Sequence, residues 1–81
     1  MTRDVADTPT ARFGRNLKKL RSAAGLSQEE LAARSGLHRT YVSSVERGNR
    51  NVSLENIFVL AAALKCDPRE LLAPPSDGDG A

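Results

Sequence analysis

The stretch from Ser27 to Gly48, SQEELAARSGLHRTYVSSVERG, leaves the chain few ways to fold. Ser27 and Glu30 stand three residues apart ahead of apolar positions, the spacing of a capping box. In that arrangement the serine hydroxyl accepts from the backbone N–H three residues on, and the glutamate reaches back to the serine N–H. A helix over about 28–35 follows, hiding Leu31 and Ala32. Gly36 supplies the left-handed backbone at which such a helix stops. The next residues predict a second helix over about 38–47, with Val42 and Val45 on its buried side and hydroxyls and arginines outside.

The flanking segments repeat this logic. Thr8-Pro9 reads as an N-cap followed by proline at the first helical position. Phe13, Leu17, Leu20 and Ala24 then fall on one helical face, and Gly25 ends the helix. Gly48-Asn49-Arg50-Asn51 is a turn by composition. Ser53 caps a fourth helix over about 54–64, with Leu54, Ile57, Leu60, Ala61 and Leu64 on one stripe. Asp67-Pro68-Arg69-Glu70 opens a short fifth helix that carries Leu71 and Leu72, and Pro74-Pro75 stops it. No alternating strand pattern appears. The expected fold is all-α: five helices in a domain spanning 8–73, between disordered polar tails at 1–7 and 74–81.

Size and composition narrow the function. A chain of 81 residues makes one small domain. Domains of this size bury only about 60% of their unfolded surface, so a second copy would add stability. No apolar run approaches the roughly 20 residues of a membrane helix, and MTRDVADTPT lacks the apolar core of a secretion signal. A cytoplasmic protein with no membrane partner is expected. The single cysteine, Cys66, permits no internal disulfide. One histidine, His38, and this one cysteine cannot make the usual four-ligand zinc site. Neither a glycine-rich phosphate loop nor a carboxylate dyad is present, so no enzyme activity, catalytic residue, metal, cofactor or small-molecule ligand is expected.

Net charge is only +2, but it is unevenly spread. Asp4, Asp7, Asp77 and Asp79 lie in the tails, leaving eleven basic against six acidic residues over 8–73. Arg12, Arg15, Lys18, Lys19 and Arg21 form a run without an acid. Such a run is either a solvated helix face or a set of phosphate anchors, and a groove-reading helix needs flanking anchors of this kind.

The third helix carries the chemistry. Opposite Val42 and Val45 it presents Thr40, Ser43, Ser44 and Arg47, with Arg39 at its N-terminal end. Two helices about a glycine turn, the second polar and arginine-bearing, make a helix-turn-helix suited to the DNA major groove. Arginine there can donate two parallel bonds to guanine O6 and N7, and the short hydroxyls can meet bases or phosphates. Arg39, Thr40, Ser43 and Ser44 are therefore the candidate base readers. Tyr41 lies at the margin, where it either packs its ring and sends its hydroxyl to a phosphate or is simply core. His38 starts the helix within reach of a phosphate.

Residues 12–72 resemble the lambda-repressor-like domain of the Cro/C1 (XRE) regulators, through LKKLRSAAGLSQEELA, SGLHRTYVSSVERG and SLENIFVLAAALKCDPRELL. More narrowly, LHRTYVSSVERGNRNVSLENI resembles the controller proteins of restriction–modification systems. In those an Arg-Thr-Tyr triplet opens the recognition helix, here Arg39-Thr40-Tyr41, and an Arg-Asn pair follows the turn, here Arg50-Asn51. The resemblance implies that Gln28 grips a phosphate and that Arg47, Arg50 and Asn51 follow the DNA backbone; Arg15, Lys18 and Lys19 of the basic run are candidate phosphate anchors by their charge. It also implies that Arg21 and Glu46 tie the first helix to the third. Both sit near the buried margins of their helices, which suits a structural bridge better than a DNA contact.

The fourth helix is more apolar than one core requires. Phe58, Val59, Ala62 and Ala63 fall outside its inward stripe and suggest a homodimer interface. Two recognition helices about 34 Å apart would then read half-sites one DNA turn apart in a pseudo-palindromic operator. The expected function is a sequence-specific transcription regulator on double-stranded DNA. A phage-type repressor or an antitoxin of the same fold is the alternative. From a different class, a protein-interaction module would show an eroded recognition face, whereas this one keeps Arg39, Arg47 and Arg50.

Overall fold

Thr8 accepts a hydrogen bond from the Ala11 amide (3.2 Å) and sets the start of α1, Pro9–Ala23. The computed structural model describes residues 8–74, so the tail expected at 1–7 and all but Pro74 of the one expected at 74–81 lie outside them. Four further helices follow: α2 (Gln28–Ser35), α3 (Arg39–Glu46), α4 (Leu54–Leu64) and α5 (Pro68–Leu72). No strand occurs among the described residues. The fold is the all-α five-helix arrangement read from the sequence.

The caps explain the boundaries. At α2 the Ser27 hydroxyl accepts from the Glu30 amide (3.0 Å) while the Glu30 carboxylate accepts from the Ser27 amide (2.8 Å). Gly36 closes the helix at φ 75°, a conformation that costs glycine little. A second capping box, Asp67 with Glu70, opens α5. Helix α3 begins one residue later than expected, because His38 occupies the N-cap position and makes no capping bond.

Leu17, Leu31, Val42, Val45, Leu60 and Leu71 are fully buried, with Phe13, Ala32 and Ala61 beside them. The core thus draws on all five helices. Helix α3 lies between α1 and α2, and α4 packs on α2 and α5. Gly14 permits a close approach between α1 and α3. A Cβ built there would stand 2.5 Å from the Val45 carbonyl oxygen and 2.7 Å from that of Glu46. Asn16 ties α1 to the end of α5, its amide donating to the carbonyls of Leu71 (2.9 Å) and Ala73 (2.8 Å).

Several apolar assignments change. Leu54, expected on the inner stripe, is 72% exposed. It is the first residue of α4, and side chains tilt toward a helix N-terminus, so it overhangs the end of the packed interface. Ala24 is exposed because the chain has left α1 there, and Leu72 is half exposed beside buried Leu71. Val59 and Ala63, expected to point outward, are both half-buried, and Ala63 leans on the core. The inward arc of α4 is wider than the apolar stripe read from the sequence. What remains exposed is Leu54, Phe58 and Ala62, which stand at i, i+4 and i+8 on one face.

Candidate nucleic-acid interface

Two buried valines orient α3. Val42 is fully buried and Val45 only 1% exposed, so the opposite face must look outward. Arg39 and Thr40 are exposed in its first turn, with His38 exposed just ahead of them. Ser43 and Ser44 are half-buried one turn further on. The Arg47 guanidinium folds back over both, donating to the Ser43 hydroxyl and, at 3.3 Å, to that of Ser44. The fork and the two hydroxyls therefore form one cluster.

At the far end of α3 an ion pair locks the helix to α1. Arg21 donates through both Nε and Nη2 to the Glu46 carboxylate, and its Nη1 donates to the Leu26 carbonyl (2.8 Å). The Glu46 side chain is 4% exposed and that of Arg21 13%. Bonding to the carboxylate holds the guanidinium still more firmly protonated than usual. Gln28 joins this pair, its amide donating to Glu46 Oε1 at 3.0 Å. Its side chain, expected on a phosphate, thus gives one amide proton to α3 and keeps the other to donate elsewhere.

The loop after α3 is anchored through an aromatic ring. Tyr41 is half-buried, with its ring against the core and its hydroxyl accepting from Asn56 Nδ2 at 3.1 Å. The ring thus packs against the core, as both readings of this residue require, and the hydroxyl meets Asn56. The Arg50 guanidinium carbon lies 4.9 Å from the centre of the ring, a cation–π distance. Asn51 is exposed beside it. Between helix and loop runs an open groove of about 560 Å³, lined by His38, Thr40, Tyr41, Ser44 and Arg50 among others. Every polar side chain named there can donate a hydrogen bond. Arg15, Lys18 and Lys19 are exposed on α1, the helix packed against α3.

Sequence reasoning missed the Gln28–Glu46, Tyr41–Asn56 and Tyr41–Arg50 contacts. It also missed Gly14, although a glycine inside a helical pattern is itself a signal of close packing. Among the described residues no cluster of three or more His, Cys, Asp or Glu is placed to hold a metal ion. None of the described helices is long and apolar enough to cross a membrane. Cys66 is half-buried, and burial pushes its thiol up from the usual range, away from a reactive thiolate.

Comparison with known proteins agrees with this geometry. The helix-turn-helix family profile matches residues 17–71. Control protein C.BamHI of Bacillus amyloliquefaciens is 49% identical over 61 residues, covering 74% of this chain and 75% of its own length. The crystal structure of the restriction-modification controller protein C.AhdI from Aeromonas hydrophila superposes with a TM-score of 0.75 at 61% identity, over 76% of this chain and 94% of that one. The controller protein C.Esp1396I, solved as a tetramer with its natural 35 base-pair operator, matches at TM-score 0.72 and 28% identity, over 83% of this chain and 99% of that one.

Proposed function

The chain belongs to the helix-turn-helix family, among restriction-modification control proteins, and from that premise we propose how it reads its operator. It is a DNA-binding transcription regulator, a class with no catalytic chemistry. It acts in the cytoplasm as a homodimer, each copy laying α3 in the major groove of one half-site. Arg39 and Thr40 meet base edges first, with Tyr41, Ser43 and Ser44 along the same groove. Arg47, Arg50, Asn51, His38, Gln28 and the α1 cations Arg15, Lys18 and Lys19 hold the phosphates. Leu54, Phe58 and Ala62, with exposed Leu72 on α5, supply an apolar face for the second copy.

The observation that supports this most is the outward placement of Arg39 and Thr40 on a helix fixed at its other end by the Arg21–Glu46 pair. A helix held at one end and exposed at the other can enter a groove without reorganising. Selection from a random duplex pool tests the reading. It should return two inverted half-sites whose centres lie about 10 base pairs apart. Affinity should fall linearly with salt on logarithmic axes. Recovery of no enriched sequence, or binding indifferent to salt, would refute it.

A further inference from the structure

Asn56 reaches the recognition helix through one bond, to the Tyr41 hydroxyl. It sits in the first turn of α4, its backbone amide donating to the capping hydroxyl of Ser53 at 3.1 Å. That cap fixes where its side chain starts. The Asn56 amide donates to the phenol oxygen of Tyr41, so the phenol is an acceptor on its inner side. A hydroxyl that accepts from one neighbour keeps its single proton to give elsewhere. The Tyr41 ring in turn carries Arg50 on its face. Asn56, Tyr41 and Arg50 thus form a chain from a core helix to the open groove.

We propose that Asn56 is a positioning residue for DNA recognition, fixing Tyr41 so that its phenol proton points to a hydrogen-bond acceptor on the DNA and its ring holds Arg50 in place. The proposal rests on the reading above that α3 binds DNA. A base-edge group that can only accept, such as guanine O6 or N7 or thymine O4, satisfies such a donor, whereas an amino group facing it is rejected. Asn56 therefore contributes to discrimination between sequences without lying among the residues expected to touch them. Asn56→Asp should reverse the inner bond, because a carboxylate can only accept. The phenol proton would then turn inward, away from the DNA.

The experiment is a double-mutant cycle of Asn56→Ala with Tyr41→Phe. It is read by titrating full-length protein against the duplex that the wild type selects and against an unrelated duplex. Asn56→Ala should weaken the selected duplex by about tenfold, as loss of one hydrogen-bond constraint does, and leave the unrelated duplex within about twofold. In the Tyr41→Phe background the same substitution should change neither. Equal losses in both backgrounds, equal losses on both duplexes, or no loss at all would overturn the proposal. If Asn56→Ala melts too low to measure, Asn56→Asp keeps the side-chain shape. Its loss on the selected duplex should exceed that on the unrelated one, and this difference should vanish with Tyr41→Phe. A difference that persists would overturn the proposal. Failure of the wild type to select any duplex would instead count against the DNA-binding reading itself.

Discussion

Arg21 and Glu46 face each other across the seam between α1 and α3, two guanidinium nitrogens on one carboxylate that is 4% exposed. Removing one partner strands the other away from water. Glu46→Ala should cost about 3 kcal/mol in urea unfolding. Replacing both by apolar residues, Arg21→Met with Glu46→Leu, should recover most of that loss. A double variant as unstable as the sum of the singles would show that the pair is not the unit described.

Gly14 governs the same seam by lacking a side chain. In an exposed helix, alanine for glycine would gain about 1 kcal/mol. Here the new methyl meets the carbonyl oxygens of Val45 and Glu46, backbone atoms that cannot swing aside. Gly14→Ala should therefore destabilise by about 1–2 kcal/mol despite better helix propensity. A raised melting temperature would contradict the close approach.

Lys65 ends α4 with φ 57° and ψ 43°, the left-handed conformation that suits glycine. Lys65→Gly should stabilise the fold by about 0.5–1 kcal/mol. Thermal melting checks this, and a loss of stability would argue that the lysine side chain contributes more than its backbone costs.

Acid should loosen the start of α2. Hydrogen bonds from the Ser27 amide and hydroxyl hold the Glu30 carboxyl below the usual range, with Arg34 adding to the effect. A carboxyl lowered by folding stabilises the native state above its unfolded value, about pH 4.3, and that contribution disappears as pH falls through the lowered native value. Glu30→Gln keeps an acceptor for the Ser27 amide but cannot titrate. Its unfolding free energy should therefore fall less steeply on the acid side than that of the wild type. An identical slope would remove Glu30 from the account.

All five helices were legible because their signals are local. Thr8-Pro9, Ser27 with Glu30, Gly36 and Asp67 with Glu70 act within one turn of the chain, and each does what its spacing implies. The inner residues Leu17, Leu31, Val42, Val45 and Leu60 followed from the same periodicity. What the sequence hid depends on partners far along the chain. Asn16 bonds to carbonyls 55 and 57 residues away, and Asn56 to a tyrosine 15 residues before it. Leu54 and Ala63 were misplaced because a wheel gives the angle of a side chain but not where the neighbouring helix ends. The candidate site was therefore visible as a list of donors, while the network that orients them was not.

If the exposed first turn of α3 reads bases, as proposed, Arg39 should do so at a single base pair of each half-site. Arg39→Ala should be titrated against the selected operator and against variants with each base pair changed in turn. The account predicts that wild-type discrimination at one guanine position in each half-site, about 1–3 kcal/mol, collapses in the variant while other positions keep theirs. Unchanged discrimination at every position, with affinity lowered uniformly, would contradict it and make Arg39 one more phosphate anchor.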